Sequence, residues 1–180
     1  MKSPIYQAVV VTTIDGKIAK HSNHNVNWSS REDKKFLHQK IKESDVIIIG
    51  RKTFEVARTT LTKKEFLTRN YIVLTRSVKT TKRQNPQTIF LNPNSVRIDQ
   101  FINKLGYQKI CILGGTQIYS LMLTMGLMTD LFLTIEPLIF GQGQGIFDFV
   151  RENVKLKLIS KKNLNQSGTI LLHYRLIDQN

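Results

Sequence analysis

Three runs in this chain, Val46-Ile47-Ile48-Ile49-Gly50, Tyr71-Ile72-Val73-Leu74 and Ile110-Cys111-Ile112-Leu113, are short, rich in β-branched residues and almost wholly apolar. A strand with one wet face alternates apolar and polar residues, so a run without alternation must be covered on both faces. A parallel sheet with helices on each side does this. Segments of helical period lie between and around the runs. They are Ser30–Glu43, with Phe36, Leu37 and Ile41 on one face, the stretch from Gly50 through Arg58, Val96–Leu105, and a segment from Gly115 to near Gly126. Strands are expected at Ile5–Thr13, Val46–Ile49, Tyr71–Thr75, Thr88–Leu91, Lys109–Leu113 and Leu131–Glu136. Val154–Ser160 and Thr169–Leu176 read as a closing antiparallel hairpin around Asn165-Gln166-Ser167-Gly168. The expected class is α/β, as one domain over residues 1–180, because no repeat or long linker divides the chain.

The formal net charge of +14 invites a nucleic-acid reading, since clustered cations neutralise phosphates and release counterions. Basic pairs such as Lys34-Lys35, Lys82-Arg83 and Lys161-Lys162 are instead dispersed, without aromatic interleaving. The expectation is a solvated basic surface that favours anionic small ligands and binds no specific nucleic acid. No apolar run approaches the roughly 18 residues a membrane helix needs. Met1–Tyr6 enters the first strand without the apolar stretch of a secretory signal, so no membrane partner and a cytoplasmic location are expected. Cys111, the lone cysteine, reads as a buried structural thiol, and His21, His24, His38 and His173 show no metal spacing, so no metal is expected.

Three segments carry chemistry. In the first, a buried strand delivers Gly50, Arg51, Lys52 and Thr53 to a helix start, where free N–H groups, the helix dipole, two cations and a hydroxyl suit a phosphate. In the second, a strand ends in Thr75, Arg76 and Ser77, at the carboxyl edge where α/β sheets place ligands. In the third, Leu113, Gly114, Gly115, Thr116, Gln117 and Ile118 form a strand end, a glycine pair that admits close backbone approach, and a helix start. The first two also have a plain structural reading, as a helix start with exposed basic residues and as a strand leaving into a polar loop. Neither the full Gly-x-Gly-x-x-Gly pattern nor a Walker-type phosphate loop is present.

In order and spacing the three segments resemble dihydrofolate reductase, over about Ile5 to Phe147, together with Asp15-Gly16-Lys17-Ile18-Ala19, Trp28 and Leu131-Phe132-Leu133-Thr134. The resemblance implies a dihydrofolate reductase-like three-layer fold, with a mostly parallel central sheet, helices on both faces and a C-terminal antiparallel hairpin. It implies NADPH as cofactor, held by Gly50, Arg51, Lys52, Thr53, Thr75, Arg76, Ser77 and Leu113 through Ile118, with Ile18 and Ala19 beside the nicotinamide. Arg76 with Arg51 or Lys52 would hold the 2′-phosphate. It also names Asp33, five residues after Trp28, as the carboxylate that holds and helps protonate a heterocycle, hydrogen-bonded by Thr134. The local alternative is that Ser29-x-x-Glu32 and Ser30-x-x-Asp33 are capping boxes whose acids merely favour a helix start.

Asp15–Ala19, Trp28-Ser29-Ser30, Ser44–Gly50 and above all Asp130–Gly143 resemble a sister group more closely. This is the reductase C-terminal domain of riboflavin biosynthesis and its stand-alone bacterial relatives. That resemblance implies reduction of a small heterocycle such as the phosphoribosylaminopyrimidine of that pathway, with Lys17 and Glu136 facing the substrate, and a homodimer. Two departures bear on the substrate. Asn27 stands where dihydrofolate reductases have proline, and Val56-Ala57-Arg58-Thr59-Thr60-Leu61 stands where riboflavin reductases have Asp-x-Pro-x-Leu. No deaminase zinc motif is present, so reduction alone is expected. Two other readings stay open: dihydrofolate reductase itself, and a nucleotide- or nucleic-acid-binding protein that keeps the fold without turnover.

Overall fold

A computed structural model describes residues 3–21, 24, 27–60, 68–150 and 153–177, so Leu61 lies outside the described residues. The buried apolar runs form adjacent strands. β1 (Ile5–Thr13), β3 (Val46–Gly50), β4 (Tyr71–Leu74), β6 (Thr88–Leu91), β7 (Lys109–Ile112) and β8 (Asp130–Glu136) lie parallel in the order β8-β1-β7-β3-β4-β6. The sheet is nine-stranded. Antiparallel β5 (Thr81–Asn85) closes it beside β6, and the hairpin β10 (Leu156–Asn163) and β11 (Ile170–Leu176) closes it beside β8. A separate two-stranded ribbon pairs β2 (Lys17–Ala19) with β9 (Gln144–Gly145).

Alternate residues of each parallel strand feed opposite cores, as a pleated strand covered on both faces requires. Ala8, Val10, Val46, Ile48, Ile72, Leu74, Ile110 and Ile112 pack with α3 (Ile98–Leu105) and α4 (Thr116–Thr124). Val9, Ile47, Ile49, Val73, Cys111 and Phe132 pack with α1 (Arg31–Glu43) and α2 (Arg51–Thr60), through Phe36, Leu37, Ile41 and Phe54. The layers are therefore helix, sheet, helix. Burial pushes the Cys111 thiol up to about 12, in keeping with an inert core residue.

Much of the basic charge on the sheet falls on its edges. β5 reads Thr-Lys-Arg-Gln-Asn and is exposed at its first four positions, while β10 is exposed along its whole length and carries Lys157, Lys161 and Lys162. Edge strands present unpaired backbone groups, and lysine there opposes edge-to-edge association.

The expected boundaries shift at several points. Gly50 ends β3 rather than opening a helix, α3 begins two residues later than expected, at Ile98, and β8 begins one residue earlier, at Asp130. β10 runs on to Asn163 instead of stopping at Ser160, past a register shift between Leu158 and Ser160. The strands β2, β5 and β9 were not expected at all. Among the described residues no helix is long and apolar enough to cross a membrane.

Ile48 lies at the centre of β3 with no exposed surface. Ile48→Ala should therefore destabilise the fold by about 3 kcal/mol, from lost burial and a cavity that tight packing cannot refill. Urea unfolding should show a lower midpoint with an unchanged slope. A loss below about 1 kcal/mol would contradict this packing, given the range measured for such truncations.

Candidate active site

All six parallel strands present their carboxyl ends to one edge of the sheet, and the expected motifs meet there. At the centre the ends of β3 and β7 are locked together. Leu113 N–H donates to the Ile48 carbonyl (2.9 Å), and Gly50 N–H donates to the Gly114 carbonyl (2.7 Å). The Gly114–Gly115 peptide is cis. Gly114 has φ +76°, and a Cβ there would run into the Tyr119 ring. At Gly50 a Cβ would lie 2.9 Å from Cγ1 of Ile118, so both glycines are demanded by how closely α4 approaches the strand ends. Tyr119 fixes α4 from below by donating its hydroxyl to the Val9 carbonyl (2.7 Å).

Thr53 in the first turn of α2 accepts the Gly115 N–H (2.9 Å), tying the two helix starts together while its own O–H remains free to donate. No side chain caps α4, whose N-cap is Gly115. On the next strand end, Thr75 is anchored by its N–H to Leu91 (2.9 Å), and its hydroxyl lies 3.0 Å from that of Ser77. Arg76 and Lys52 are exposed. Arg51 makes an exposed i,i+4 ion pair with Glu55 (2.9 Å), a weak contact that a phosphate can displace with little loss.

The other end of the edge holds the acid. Asp33 sits in the first turn of α1 and is only 4% exposed. Burial raises its pKa, and the Glu136 carboxylate pushes in the same direction; the Thr134 and Ser29 hydroxyls and Lys34 offset part of this. The capping-box expectation is half met: Ser30 Oγ accepts the Asp33 N–H (3.2 Å). The return bond from Asp33 to Ser30 is absent. Instead Ser30 N–H donates to Oε1 of Glu136 (2.7 Å), and Oε2 of Glu136 accepts the Thr169 hydroxyl (2.6 Å). Glu136, expected to face a substrate, thus has both oxygens engaged within the protein. The alternative box at Ser29 does not form, since the N-cap is Ser30 and the Ser29 hydroxyl lies towards Asp33 instead. Among the described residues Trp28 Nε1 is buried without a partner.

Loops from both sides border this end. Asp15 accepts the Phe140 and Gly141 N–H groups (3.2 and 2.9 Å) and the Thr13 hydroxyl (2.5 Å), and these bonds hold its pKa low. Thr116 Oγ1 donates to the Gly145 carbonyl (2.7 Å), which brings the ribbon that carries Ile18 and Ala19 beside the start of α4. Ala19 is buried, whereas Lys17 is half-buried and held by its N–H on Thr13 Oγ1 (3.0 Å). Trp28 meets Phe140 edge-on, with ring centroids 5.0 Å apart. Phe140 and Thr169 had not been singled out, and the partner of Ser30 N–H had not been foreseen. They join the site through contacts far apart in sequence, which local pattern does not reveal.

The layers, the strand order and a carboxylate facing the strand ends define a dihydrofolate reductase-like α/β domain. Within that class the chain belongs to the RibD C-terminal domain family, whose model matches residues 4–170. An uncharacterised Bacillus subtilis protein, YyaP, is 25% identical over 173 residues, 92% of this chain and 91% of that one. A putative riboflavin biosynthesis protein from Shewanella sp. PV-4 has the same fold at TM-score 0.76 and 17% identity, covering 97% of this chain and 99% of that one. Enterococcus faecalis dihydrofolate reductase, solved with NADP(H), superposes at TM-score 0.70 and 17% identity, covering 98% of both chains.

Because the folded state holds the Asp33 proton more tightly than the unfolded chain does, ionising Asp33 destabilises the fold. The penalty is present above the raised folded value and disappears below the ordinary carboxylate value of about 3.9. Asp33→Asn should therefore unfold at a higher temperature than the parent at pH 7, with the gain vanishing towards pH 3 to 4, roughly that same range. A variant less stable than the parent at pH 7 would contradict this assignment.

Proposed function

We propose that this chain is an NADPH-dependent oxidoreductase that reduces a pyrimidine-related heterocycle, most like 5-amino-6-(5-phosphoribosylamino)uracil. The observation that carries the reading is the buried Asp33 carboxyl, with the Thr134 and Ser29 hydroxyls turned to it, on the same strand-end edge as an uncapped helix start. Membership of the RibD C-terminal domain family supports the substrate class.

The residues present fit the cofactor. The start of α4 offers backbone N–H groups without a competing side-chain cap, Thr53 keeps a free O–H, and Thr75, Ser77, Arg76 and Lys52 supply hydroxyls and charge. NADPH, when bound, supplies the hydride. The Thr53 hydroxyl and the Thr116 and Gln117 amides would hold its pyrophosphate in a notch shaped by Gly50, Leu113, Gly114, Gly115 and Ile118, and Arg51, Lys52 and Arg76 its 2′-phosphate, while Ile18 and Ala19 would give the nicotinamide an apolar wall. Asp33 would hold and deliver a proton to the heterocycle, oriented by Thr134, because a carboxyl with a raised pKa keeps its proton closer to neutrality. Trp28 Nε1 would find a partner on the ring, and Lys17 would meet an anionic group of the substrate. The lysine-bearing edges β5 and β10 are read as opposing edge-to-edge association rather than as a nucleic-acid surface.

Arg76→Ala should weaken NADPH binding at least about tenfold, since a charge-assisted bond contributes ~1.5–3 kcal/mol, and leave NADH binding unchanged. Fluorescence titration of both cofactors checks this. Equal affinity of the parent protein for the two would remove the phosphate role. In turnover followed by loss of NADPH absorbance, the phosphoribosylaminopyrimidine should outpace dihydrofolate; the reverse order would replace the proposed substrate.

A further inference from the structure

Glu136 does two things that no local motif requires. Its Oε1 takes the Ser30 N–H, the place a capping-box acid on α1 would fill, and its Oε2 takes the hydroxyl of Thr169 at the foot of the hairpin. Asp33, three residues along from Ser30, is thereby released from capping, and its carboxyl is left to face Thr134. The brace joins three separate elements: the start of α1, the end of β8 and the hairpin turn. Thr169 is itself held, since its N–H donates to Asn165 Oδ1 (3.1 Å) and its hydroxyl oxygen accepts from Asn165 Nδ2 (2.9 Å). The Glu136 carboxyl is 4% exposed and Thr169 is 1% exposed, so water does little to screen the charge from Asp33.

We propose that Glu136, fixed by Ser30 and Thr169, is a positioning residue that keeps Asp33 off the helix cap and sets a fixed carboxylate against its buried carboxyl. This rests on the reading of Asp33 as the proton donor, and it gives the C-terminal hairpin a part in the reaction. The remaining groups that act on Asp33 are Lys34 on its own helix, the Thr134 hydroxyl on β8, the Ser29 hydroxyl before α1, and Tyr119 on α4. Burial is the main cause that favours the protonated form of Asp33, and the neighbouring Glu136 charge adds to it.

The test follows the Asp33 carboxyl by carbon-13 NMR titration in the ligand-free protein, alongside the pH profile of kcat/KM. Glu136→Gln keeps an acceptor for Ser30 and a partner for Thr169 but removes the charge. It should lower the Asp33 midpoint, because the Glu136 charge is one of the causes that raise it. Thr169→Val should lower it in the same direction but by less, because the Glu136 carboxylate loses the bond that holds it in place, and Thr169→Ser should restore it. An unchanged midpoint in folded Glu136→Gln overturns the proposal. If that variant does not fold, an unchanged midpoint in Thr169→Val overturns it instead. A midpoint that moves while the alkaline limb of the pH profile stays in place would keep the brace and refute Asp33 as the proton donor.

Discussion

Strands covered on both faces have only their ends in which to place polar groups. In β8, β1, β7, β3, β4 and β6 the strands run parallel, so every carboxyl end emerges on one edge. The side chains that enter the core leave no room for chemistry between strand and helix: Ile48, Ile110 and Ile112 on one face have no exposed surface, and neither do Val73 and Cys111 on the other. The cleft is a consequence of that burial. Its floor is the interlock of Gly50 with Gly114, where side chains are excluded because α4 comes too close.

The site has two ends of different character. Around Thr53, Thr75 to Ser77 and the start of α4, hydroxyls, N–H groups and exposed cations face solvent, which suits an anion that must enter and leave. Around Asp33, burial dominates: the carboxyl is held among Thr134, Ser29 and Glu136 with little water. Phosphate recognition needs charge that is easily reached, whereas proton delivery needs a carboxyl that resists ionisation.

How legible this was in the sequence depended on how local each signal is. β3, β4 and β7 announced themselves because nothing polar interrupts them, and the glycine pair after β7 marked its turn. β5 gave no signal, since an exposed edge strand of Thr-Lys-Arg-Gln-Asn has no buried face to impose alternation. β2 and β9 are too short to show a period. Ser30-x-x-Asp33 read correctly as a helix start, but the bond that completes the cap comes from Glu136, 106 residues away. No window of sequence contains both partners, so the expectation that Glu136 faces a substrate followed from resemblance, and its engagement with Ser30 and Thr169 emerged only from the fold.

The central claim is that the Gly50–Gly114 notch and its neighbouring strand ends bind the dinucleotide. Backbone amide shifts on titrating nitrogen-15-labelled protein with NADPH test it directly, because they report where the ligand sits whether or not a substrate is known. The account predicts saturable shifts at Gly50, Thr53, Ser77, Gly115, Thr116 and Gln117, with β5 and β10 unmoved. Shifts confined to the lysine-bearing edges, or none at the notch under saturating cofactor, would contradict it.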